Sequence, residues 1–365
     1  MAIRPQPDQP IFRTKGRGAP QNLTPLRFNL AERQIDGEWL DEREAVDGGA
    51  APVRTTVTVE RARTIISRNS SPDLGFDRSI NAYRGCEHGC IYCFARPTHA
   101  YHDLSPGLDF ESRLFAKPDA AKLLRAELAK PAYRCAPMAM GTNTDPYQPI
   151  ERDWRITREV LEVLAETRHP VIITTKSARV CDDIDLLSGM AAQNLVGVAI
   201  SVTSLDPALA RTLEPRACTP ARRLDAIRRL AERGIPVGVN VAPVIPAITD
   251  HEMEHIMERA AEMGARAASY IPVRLPHEVA PLFRAWLDAH YPERAEKVMH
   301  IINDLRGGRD NDPSFGSRMR GRGPWADLLR TRFKRAARTY ALDGPRTRLA
   351  TDLFRKPQGP QGELF

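Results

Sequence analysis

The sequence lacks any run of about eighteen apolar residues, so no transmembrane helix and no membrane partner are expected. Its first residues, MAIRPQPDQPIFRTKGRGAPQ, lack the apolar core of a secretory signal peptide. Both absences favour a cytoplasmic protein. Acidic residues are outnumbered as well: the formal net charge is +7 and the pI about 9.2, which favours polyanionic partners without establishing one.

Cysteine is scarce, with six in 365 residues. Small secreted domains held by disulfides are usually denser in cysteine, so a disulfide framework is not expected. Three of the six fall within eight residues, at Cys86, Cys90 and Cys93, which in a cytosolic protein indicates metal or redox chemistry. The other three are scattered, as is typical of small buried residues: Cys135, Cys181 and Cys218.

The composition divides the chain into four parts. Residues 1–70, rich near the start in Pro, Gly, Arg and Gln, predict a largely disordered basic arm. Residues 71–304 predict the core domain, residues 305–345 a basic extension, and residues 346–365 a flexible tail. Within the extension, Trp325 to Tyr340 has the composition of a basic helix.

Short apolar runs alternate with helical patterns through the core domain. The predicted strands are Ser79–Tyr83, Pro137–Gly141, Val171–Thr175, Val196–Val202, Pro236–Val241 and Ala267–Val273. The predicted helices are Asp119–Lys130, Arg155–Thr167, Asp182–Gln193, Pro220–Arg233, Asp250–Met263 and Pro276–His290. Repeated βα units imply a parallel sheet that right-handed crossovers curl into a barrel. Six units are fewer than the eight of a closed barrel, so the predicted fold class is α/β with a partial (β/α)6-type barrel.

The three clustered cysteines have the spacing C-x3-C-x2-C, in Gly85-Cys86-Glu-His-Gly-Cys90-Ile-Tyr-Cys93. The segment follows a predicted strand, so it lies at the end of the barrel where βα barrels keep their active sites. A four-iron cube ordinarily takes four cysteines, and three leave one iron open to a ligand. Zinc held with His88 or His99 is the alternative, although zinc sites usually pair C-x2-C with a distant second pair.

With Tyr92 at the aromatic position, C-x3-C-x-aromatic-C resembles the signature of radical S-adenosylmethionine (SAM) enzymes. From about residue 75 to 335 the chain also resembles the spore photoproduct lyase-related, DNA repair photolyase-like branch of that superfamily. The segments that carry this resemblance are Asn81-Ala-Tyr-Arg-Gly-Cys86, Ala95-Arg-Pro-Thr-His-Ala100, Thr142-Asn-Thr-Asp-Pro-Tyr-Gln-Pro149, Thr175-Lys-Ser177 and Leu213-Glu-Pro-Arg216.

The resemblance implies a radical SAM barrel whose three cysteines hold a [4Fe–4S] cluster. It further implies that SAM binds the open iron and is cleaved to a 5′-deoxyadenosyl radical, with an electron from a flavodoxin- or ferredoxin-like donor. The chemistry expected from this branch is lyase-like or modifying, of the DNA repair kind.

The ends of the later strands are the expected SAM contacts. A GGE-like segment for the SAM amino group corresponds to Gly141-Thr-Asn-Thr-Asp145, where Asp145 offsets the ammonium; a capped polar turn is the alternative. Basic residues suit a carboxylate, serine and threonine suit ribose hydroxyls, and the fifth strand suits adenine. The predicted contacts are Tyr92, Thr142, Asn143, Thr144, Asp145, Lys176, Ser201, Thr203, Ser204, Arg216 and Asn240.

One departure concerns the hydrogen-donating cysteine that spore photoproduct lyase has at the end of its second strand. The matching stretch, Gly141-Thr142-Asn143, has no cysteine. Cys135 is expected at the opposite end of the barrel, whereas Cys181 and Cys218 follow strands three and four. Repair of a thymine dimer by that route is therefore not expected, and no residue acting on substrate is identified.

Three hypotheses for the substrate remain open. The Arg-rich stretch from Arg306 to Arg338 and the basic arm favour DNA or RNA. The alternatives are a radical SAM enzyme for a small molecule or a protein side chain, and a non-catalytic iron–sulfur redox sensor. The last residues, Gln361-Gly-Glu-Leu364-Phe365, resemble the short Q-x-x-L-F peptides that bind the bacterial sliding clamp, which predicts that partner.

Overall fold

The computed structural model describes residues 16–23, 53–344 and 348–357. The strands, numbered along the chain, are β1 (Thr56–Val59), β2 (Ile66–Arg68), β3 (Arg78–Ile80), β4 (Tyr83–Arg84), β5 (Arg113–Ala116), β6 (Met138–Met140), β7 (Val171–Thr175), β8 (Val196–Ser201), β9 (Val237–Val244) and β10 (Ala267–Pro272). The helices are α1 (Leu108–Ser112), α2 (Ala120–Ala129), α3 (Glu151–Trp154), α4 (Ile156–Glu166), α5 (Ile184–Ala191), α6 (Pro207–Leu213), α7 (Pro220–Glu232), α8 (Met253–Glu262), α9 (Val279–His290), α10 (Pro292–Leu305) and α11 (Gly323–Thr339). Short 3-10 helices cover Arg96–His102, Ala178–Asp183 and Asp250–Glu252.

Seven strands form the main sheet, in the order β10-β9-β8-β7-β6-β3-β2. All neighbours pair in parallel except β2, which runs antiparallel to β3 at the edge. A second sheet has the order β1-β5-β4. The six parallel strands are the six predicted from the sequence, and they confirm the α/β class with a partial barrel.

The central strands alternate between buried and partly exposed side chains, so the main sheet has two different faces. On β9, Val237 and Val239 are buried against the outer helices, whereas Gly238 and Asn240 are partly exposed. The strand register places the equivalent positions of neighbouring strands side by side. The concave face is therefore lined mostly by small side chains: Ala139, Thr174, Gly197, Ala199, Gly238 and Ala267.

The outer helices are amphipathic, as their sequence spacing predicts. In α4, Ile156, Val160, Leu161 and Leu164 recur every three or four residues and are buried, while the intervening charged residues face outward. Each predicted helix is present. Helix α10 was not predicted, although a proline at its first position and buried residues at helical spacing mark it in the sequence. Within the described ranges, no helix is long and apolar enough to cross a membrane.

The N-terminal arm requires a correction. Part of residues 1–70 is ordered: β1 pairs with β5, β2 pairs with β3, and Arg17 to Pro20 are buried. Glycine-rich sequence here allows close backbone contact with the core and does not mean disorder. Residues 1–15 and 24–52 lie outside the described residues.

The C-terminal extension contains the predicted basic helix, α11. Its buried residues Ala326, Leu329, Ala336 and Ala337 face the core, and the Phe333 ring lies 4.6 Å from that of Tyr270 on β10. Residues 348–357, expected to be part of a flexible tail, pack instead against the barrel. Their aromatic contact is Phe354 with the rings of Tyr133 and His169. The predicted clamp motif, Gln361–Phe365, lies outside the described residues.

Gly141 connects β6 to the polar loop with a φ of +89°. A Cβ there would lie 1.9 Å from the Thr174 carbonyl oxygen of β7, so the backbone itself would have to move. Gly141→Ala is therefore expected to lower the free energy of unfolding by about 2 kcal/mol or more, measured by urea denaturation. Gly197→Ala, where a Cβ meets nothing within 4 Å, is the control and should cost less than about 1 kcal/mol. Equal losses would contradict this explanation.

Candidate functional site

The cysteine loop follows β4 directly and depends on two glycines. Gly85 and Gly89 have φ values of +74° and +67°. A Cβ on Gly85 would lie 2.6 Å from Leu114 and 2.7 Å from the Phe110 carbonyl oxygen. Only glycine fits there, because both the backbone conformation and the space exclude a side chain.

A buried ion pair holds the cysteine loop in place. Arg96 and Glu111 are both 0% exposed, and the Arg96 guanidinium binds the Glu111 carboxylate. Arg96 also donates to the carbonyl oxygens of Cys90 at 2.9 Å and Gly89 at 3.2 Å. Further donations go to the carbonyls of Pro106 and Gly107. The guanidinium therefore sets the path of the loop at its second cysteine, Cys90.

The N-terminal segment, defined as residues 16–23, packs on the same ion pair. The backbone N–H groups of Gly18 and Ala19 donate to the two Glu111 carboxylate oxygens at 2.9 and 2.8 Å. A Cβ on Gly18 would lie only 1.8 Å from the Gly89 carbonyl oxygen. The N-terminal segment therefore packs directly against the cysteine loop.

The three cysteines of the loop are buried or partly buried. Burial raises the pKa of each thiol, to about 12 for Cys90. Interaction with the other thiols raises the pKa of Cys86 and Cys90 further, so the three sulfurs lie near one another. Such thiols become thiolate ligands when a metal replaces their protons.

The three loop thiols suit a four-iron cluster better than a single metal ion. A mononuclear zinc site needs its ligands around one point, and no such group of His, Cys, Asp or Glu exists among the described residues. A cube spreads its cysteines over different irons. The histidines proposed for zinc have other contacts: His88 Nδ1 lies 3.4 Å from Asp145, and His99 Nε2 lies 2.8 Å from the Arg113 carbonyl oxygen.

The polar loop after β6 is tied to the cysteine loop. The Thr144 hydroxyl donates to the Gly85 carbonyl oxygen at 2.6 Å. Thr142 and the backbone N–H of Asn143 both donate to the Asn81 side-chain oxygen. Gln148, which the sequence did not single out as a site residue, accepts from the Glu87 N–H at 2.9 Å. Of these predicted contacts, Thr142 and Thr144 use their hydroxyls to hold the scaffold.

Asp145 faces the protein interior. It accepts from the Thr175 hydroxyl at 2.6 Å and the Lys176 N–H at 2.8 Å, and it pairs with His88. Burial alone would raise the pKa of Asp145, but His88 and these hydrogen bonds outweigh it and lower the pKa to about 2. Its carboxylate therefore joins β7 to the cysteine loop, which differs from the expected role beside the SAM ammonium.

Glu214 is the main site residue that the sequence reading did not assign. Its buried carboxylate accepts hydrogen bonds from Tyr92, Thr203 and Arg223. Arg223 is itself buried and donates to the carbonyl oxygens of Ser201 and Cys218. This network fixes the aromatic residue of the cysteine motif against the ends of β8 and α6. In the sequence, only the Glu214-Pro-Arg216 motif could have indicated the role of Glu214.

Lys176 directly follows β7 and lies beside the cysteine loop. Its Nζ lies 5.7 Å from the centroid of the Tyr92 ring. Burial lowers the pKa of the ammonium, but Cys90 and Glu214 outweigh that effect and raise it. No hydrogen bond or ion pair to this ammonium is present among the described residues, so it is a charged donor still available to a ligand.

The remaining predicted contacts divide between the scaffold and the concave face. Arg216 pairs with Glu87 of the cysteine loop at 2.9 Å, so its guanidinium already has a carboxylate. Ser204 is bound to Glu252. Ser201 and Asn240 are register partners on the concave face, where Asn240 accepts from the Ser269 hydroxyl at 3.0 Å.

The other cysteines lie apart from the cysteine loop. Cys181 is buried, and Cys135 precedes β6, at the end of the barrel opposite the site. Cys218 is nearest to the site, because its thiol donates to the Lys176 carbonyl oxygen at 3.0 Å. No cysteine stands at the end of β6, in agreement with the sequence.

A partial barrel with a three-cysteine loop at the carboxyl edge of its strands defines an iron–sulfur enzyme of the barrel class. The chain belongs to the radical SAM superfamily, whose family model matches residues 80–260. Members of this superfamily use a [4Fe–4S] cluster and SAM, and they require a reductant.

The chain is also similar to several curated proteins. An uncharacterized protein of Mycobacterium tuberculosis is 36% identical over 251 residues, covering 68% of this chain and 73% of the relative. An uncharacterized protein of Methanocaldococcus jannaschii is 27% identical over 60% of this chain and 78% of its own length. A radical SAM Nalpha-GlyT isomerase of Pseudomonas phage M6 is 26% identical over 45% of this chain and 34% of its own length.

Solved structures of spore photoproduct lyase share the fold. The enzyme complexed with dinucleoside spore photoproduct has a TM-score of 0.54 at 17% identity, covering 78% of this chain and 79% of the other. A mutant with bound AdoMet and dinucleoside spore photoproduct has a TM-score of 0.53 at 16% identity, covering 83% and 92%. At these identities the similarity establishes the fold alone.

Removing the charge of Glu214 should destabilise the site. Glu214→Gln leaves Arg223 as an unpaired buried cation, so the free energy of unfolding is expected to fall by about 3–5 kcal/mol. Burial raises the pKa of Glu214, but Arg223 and Lys176 outweigh it and lower the pKa to about 2. The contribution of the carboxylate is therefore present above its ordinary pKa and lost as pH falls toward 2.

Between about pH 5 and pH 2, the stability of Glu214→Gln should consequently change less with pH than that of the unaltered chain. Glu166→Gln is the control, because Glu166 and its partner Arg125 are exposed and such pairs contribute less than about 1 kcal/mol. Parallel pH profiles for the Glu214 variant and the unaltered chain would argue against this role.

Proposed function

We propose that Cys86, Cys90 and Cys93 hold the [4Fe–4S] cluster of this enzyme. The observation that supports this most directly is the presence of three neighbouring thiols, two buried and one partly buried, on one loop at the carboxyl edge of the barrel. The cluster and SAM together would supply a 5′-deoxyadenosyl radical. The protein residues around them hold the loop, orient the cofactor and exclude water.

Lys176 is the residue we assign to the SAM carboxylate. Its ammonium lies beside Cys90 and Tyr92 and has no other partner among the described residues. Ser201 and Asn240, side by side on the concave face, are proposed to contact the nucleoside part. Thr142, Thr144, Asp145, Thr203 and Arg216 serve to position the loops that carry these contacts.

Changing all three loop cysteines to Ala should abolish the bound cluster, because no other described group can replace three thiolates. After anaerobic reconstitution, the iron and sulfide contents and the charge-transfer absorption should fall to background. The reduced variant should also release no 5′-deoxyadenosine from SAM.

Cys135→Ala is the matched control, since Cys135 lies at the opposite end of the barrel. It should retain both the cluster and SAM cleavage. A triple variant that still carries four irons per chain would show that the cluster is held elsewhere.

We further propose that the substrate is nucleic acid. Several basic residues between Arg306 and Arg338 are neutralised within the fold: Arg318 by Asp73, Arg330 by Asp327 and Arg332 by Glu254. Others on the exposed side of α11 have no ion pair among the described residues: Lys334, Arg335 and Arg338. Exposed cations on one helix face suit phosphate contacts, and a spore photoproduct lyase of the same fold binds a dinucleoside spore photoproduct.

Reversing Lys334, Arg335 and Arg338 to Glu should weaken binding of single-stranded DNA or RNA. The slope of log K against log salt should become shallower by up to about 2, because each phosphate contact on a single strand contributes about 0.7. Titrations of a labelled oligonucleotide at several salt concentrations measure this slope.

Lys122, Arg125 and Arg228 changed to Glu give the same change in net charge on other helices and should leave the slope nearly unaltered. If both triple variants lose affinity equally, the effect is one of net charge only. Lack of binding by the unaltered chain at low salt would favour a small molecule or a protein side chain as substrate.

Two partners remain proposals. A flavodoxin- or ferredoxin-like protein would deliver the electron that this superfamily requires. The sliding clamp would bind Gln361–Phe365, which places the enzyme on DNA during replication or repair; a labelled peptide of residues 355–365, with Leu364 and Phe365 changed to Ala in the control, tests it.

A further inference from the structure

Two large apolar side chains at one end of the barrel are exposed and face arginines. Phe94 is 48% exposed and Phe315 is 57% exposed. The guanidinium carbon of Arg274 lies 5.2 Å from the Phe94 ring centroid, and that of Arg318 lies 4.8 Å from the Phe315 ring centroid. Each ring therefore has one face against a cation and is still open to solvent.

These four residues form a continuous strip, called here the aromatic–arginine strip. Arg274 donates to the Met319 sulfur at 3.5 Å, next to Arg318. Arg274 and Arg318 are also close enough that their charges repel, and this repulsion adds to burial in lowering the pKa of Arg274. Phe94, Arg274, Arg318 and Phe315 thus follow one another along the surface.

The aromatic–arginine strip begins at the cysteine loop. Phe94 is the residue after Cys93, and Arg274 follows the carboxyl end of β10 by two residues. Buried Arg306 donates to the carbonyl oxygens of Pro272 and Val273 at 3.0 and 2.9 Å, which fixes the backbone that carries Arg274. The strip therefore lies on the same edge of the barrel as the proposed cluster.

Positive charge on the strip is only partly neutralised. Arg318 has a carboxylate partner in Asp73. Arg274 has no carboxylate bonded to it among the described residues, and its guanidinium donates to the Met319 sulfur. A half-buried guanidinium with no directly bonded carboxylate can still bind an anionic group, and it binds phosphate through paired N–H donors.

We propose that the aromatic–arginine strip binds an unpaired nucleotide at the mouth of the barrel, with its base stacked on Phe94 and its phosphate at Arg274. The inference rests on the nucleic-acid substrate proposed above and identifies where that substrate approaches the cluster. Base stacking on an exposed aromatic ring, combined with neighbouring arginines, is how single strands are held without sequence preference. A purely apolar partner would not use the charge of Arg274.

The test measures binding of a short, fluorescently labelled single-stranded oligonucleotide to the reconstituted full-length protein. Phe94→Ala should weaken binding about tenfold with an unchanged salt slope, because stacking is lost but no phosphate contact is. Arg274→Gln should weaken binding and make the salt slope shallower by about 0.7. Phe94→Trp should restore affinity, since a larger ring stacks at least as well.

Val59→Ala is the control, because Val59 is also apolar and exposed but lies on β1, outside both the strip and α11. It should bind as the unaltered chain does. Iron content and the unfolding midpoint of each variant show whether the neighbouring cysteine loop has been disturbed. Unchanged affinity in Phe94→Ala with a full cluster would overturn the proposed base-stacking site.

The binding experiments distinguish failure of the nucleic-acid substrate proposal from failure of the strip proposal. If the unaltered chain binds no oligonucleotide, the nucleic-acid substrate is wrong and the strip proposal falls with it. If the chain binds and only the Lys334, Arg335 and Arg338 variant weakens binding, the substrate class stands but the strip is not its site. Equal loss in Phe94→Ala and Phe94→Trp would also contradict stacking.

Discussion

The buried ion pair between Arg96 and Glu111 is the interaction on which the site depends. Two charges without exposure to water are costly unless every donor and acceptor is used. Here the guanidinium binds four carbonyl oxygens besides the carboxylate, and the carboxylate accepts two backbone N–H groups of the N-terminal segment. The pair therefore joins three stretches that are distant in sequence, and the cysteine loop cannot shift without breaking it.

A second buried pair, Glu214 with Arg223, acts on the other side of the same loop. It holds Tyr92, whereas the first pair holds the carbonyl of Cys90. Such pairs contribute little net stability compared with apolar packing, but they define one geometry, because misplacement leaves a buried charge unpaired. The two ion pairs therefore order the cysteine loop before a cofactor binds.

The sequence predicts the features of the fold that repeat along the chain and the site residues that cluster in it. The alternation of β and α segments predicts all six parallel strands, and the spacing of the cysteines predicts the superfamily and the position of the site. Glu111, Gln148 and the N-terminal segment were missed because single polar residues carry no period, and their partners are up to 94 residues away. Asp145 and Arg216 were identified as polar groups at strand ends, but a sequence does not show that their charges are already satisfied by His88 and Glu87.

The two proposed nucleic-acid surfaces lie toward opposite ends of β10. Helix α11 packs against β10, and the chain that follows the helix pairs with the start of the strand, where the Ala268 N–H donates to the Leu342 carbonyl oxygen at 3.1 Å. The exposed cations near the end of α11 therefore lie toward the amino end of β10, whereas Arg274 lies beyond its carboxyl end, next to Phe94. A strand of nucleic acid held at α11 would therefore run along the length of β10 to reach the aromatic–arginine strip and the cluster. A base inside a duplex cannot stack on a side chain at the rim of a cavity, so the arrangement requires a single strand or a flipped base. The small side chains of the concave face would then leave room for that base beside SAM.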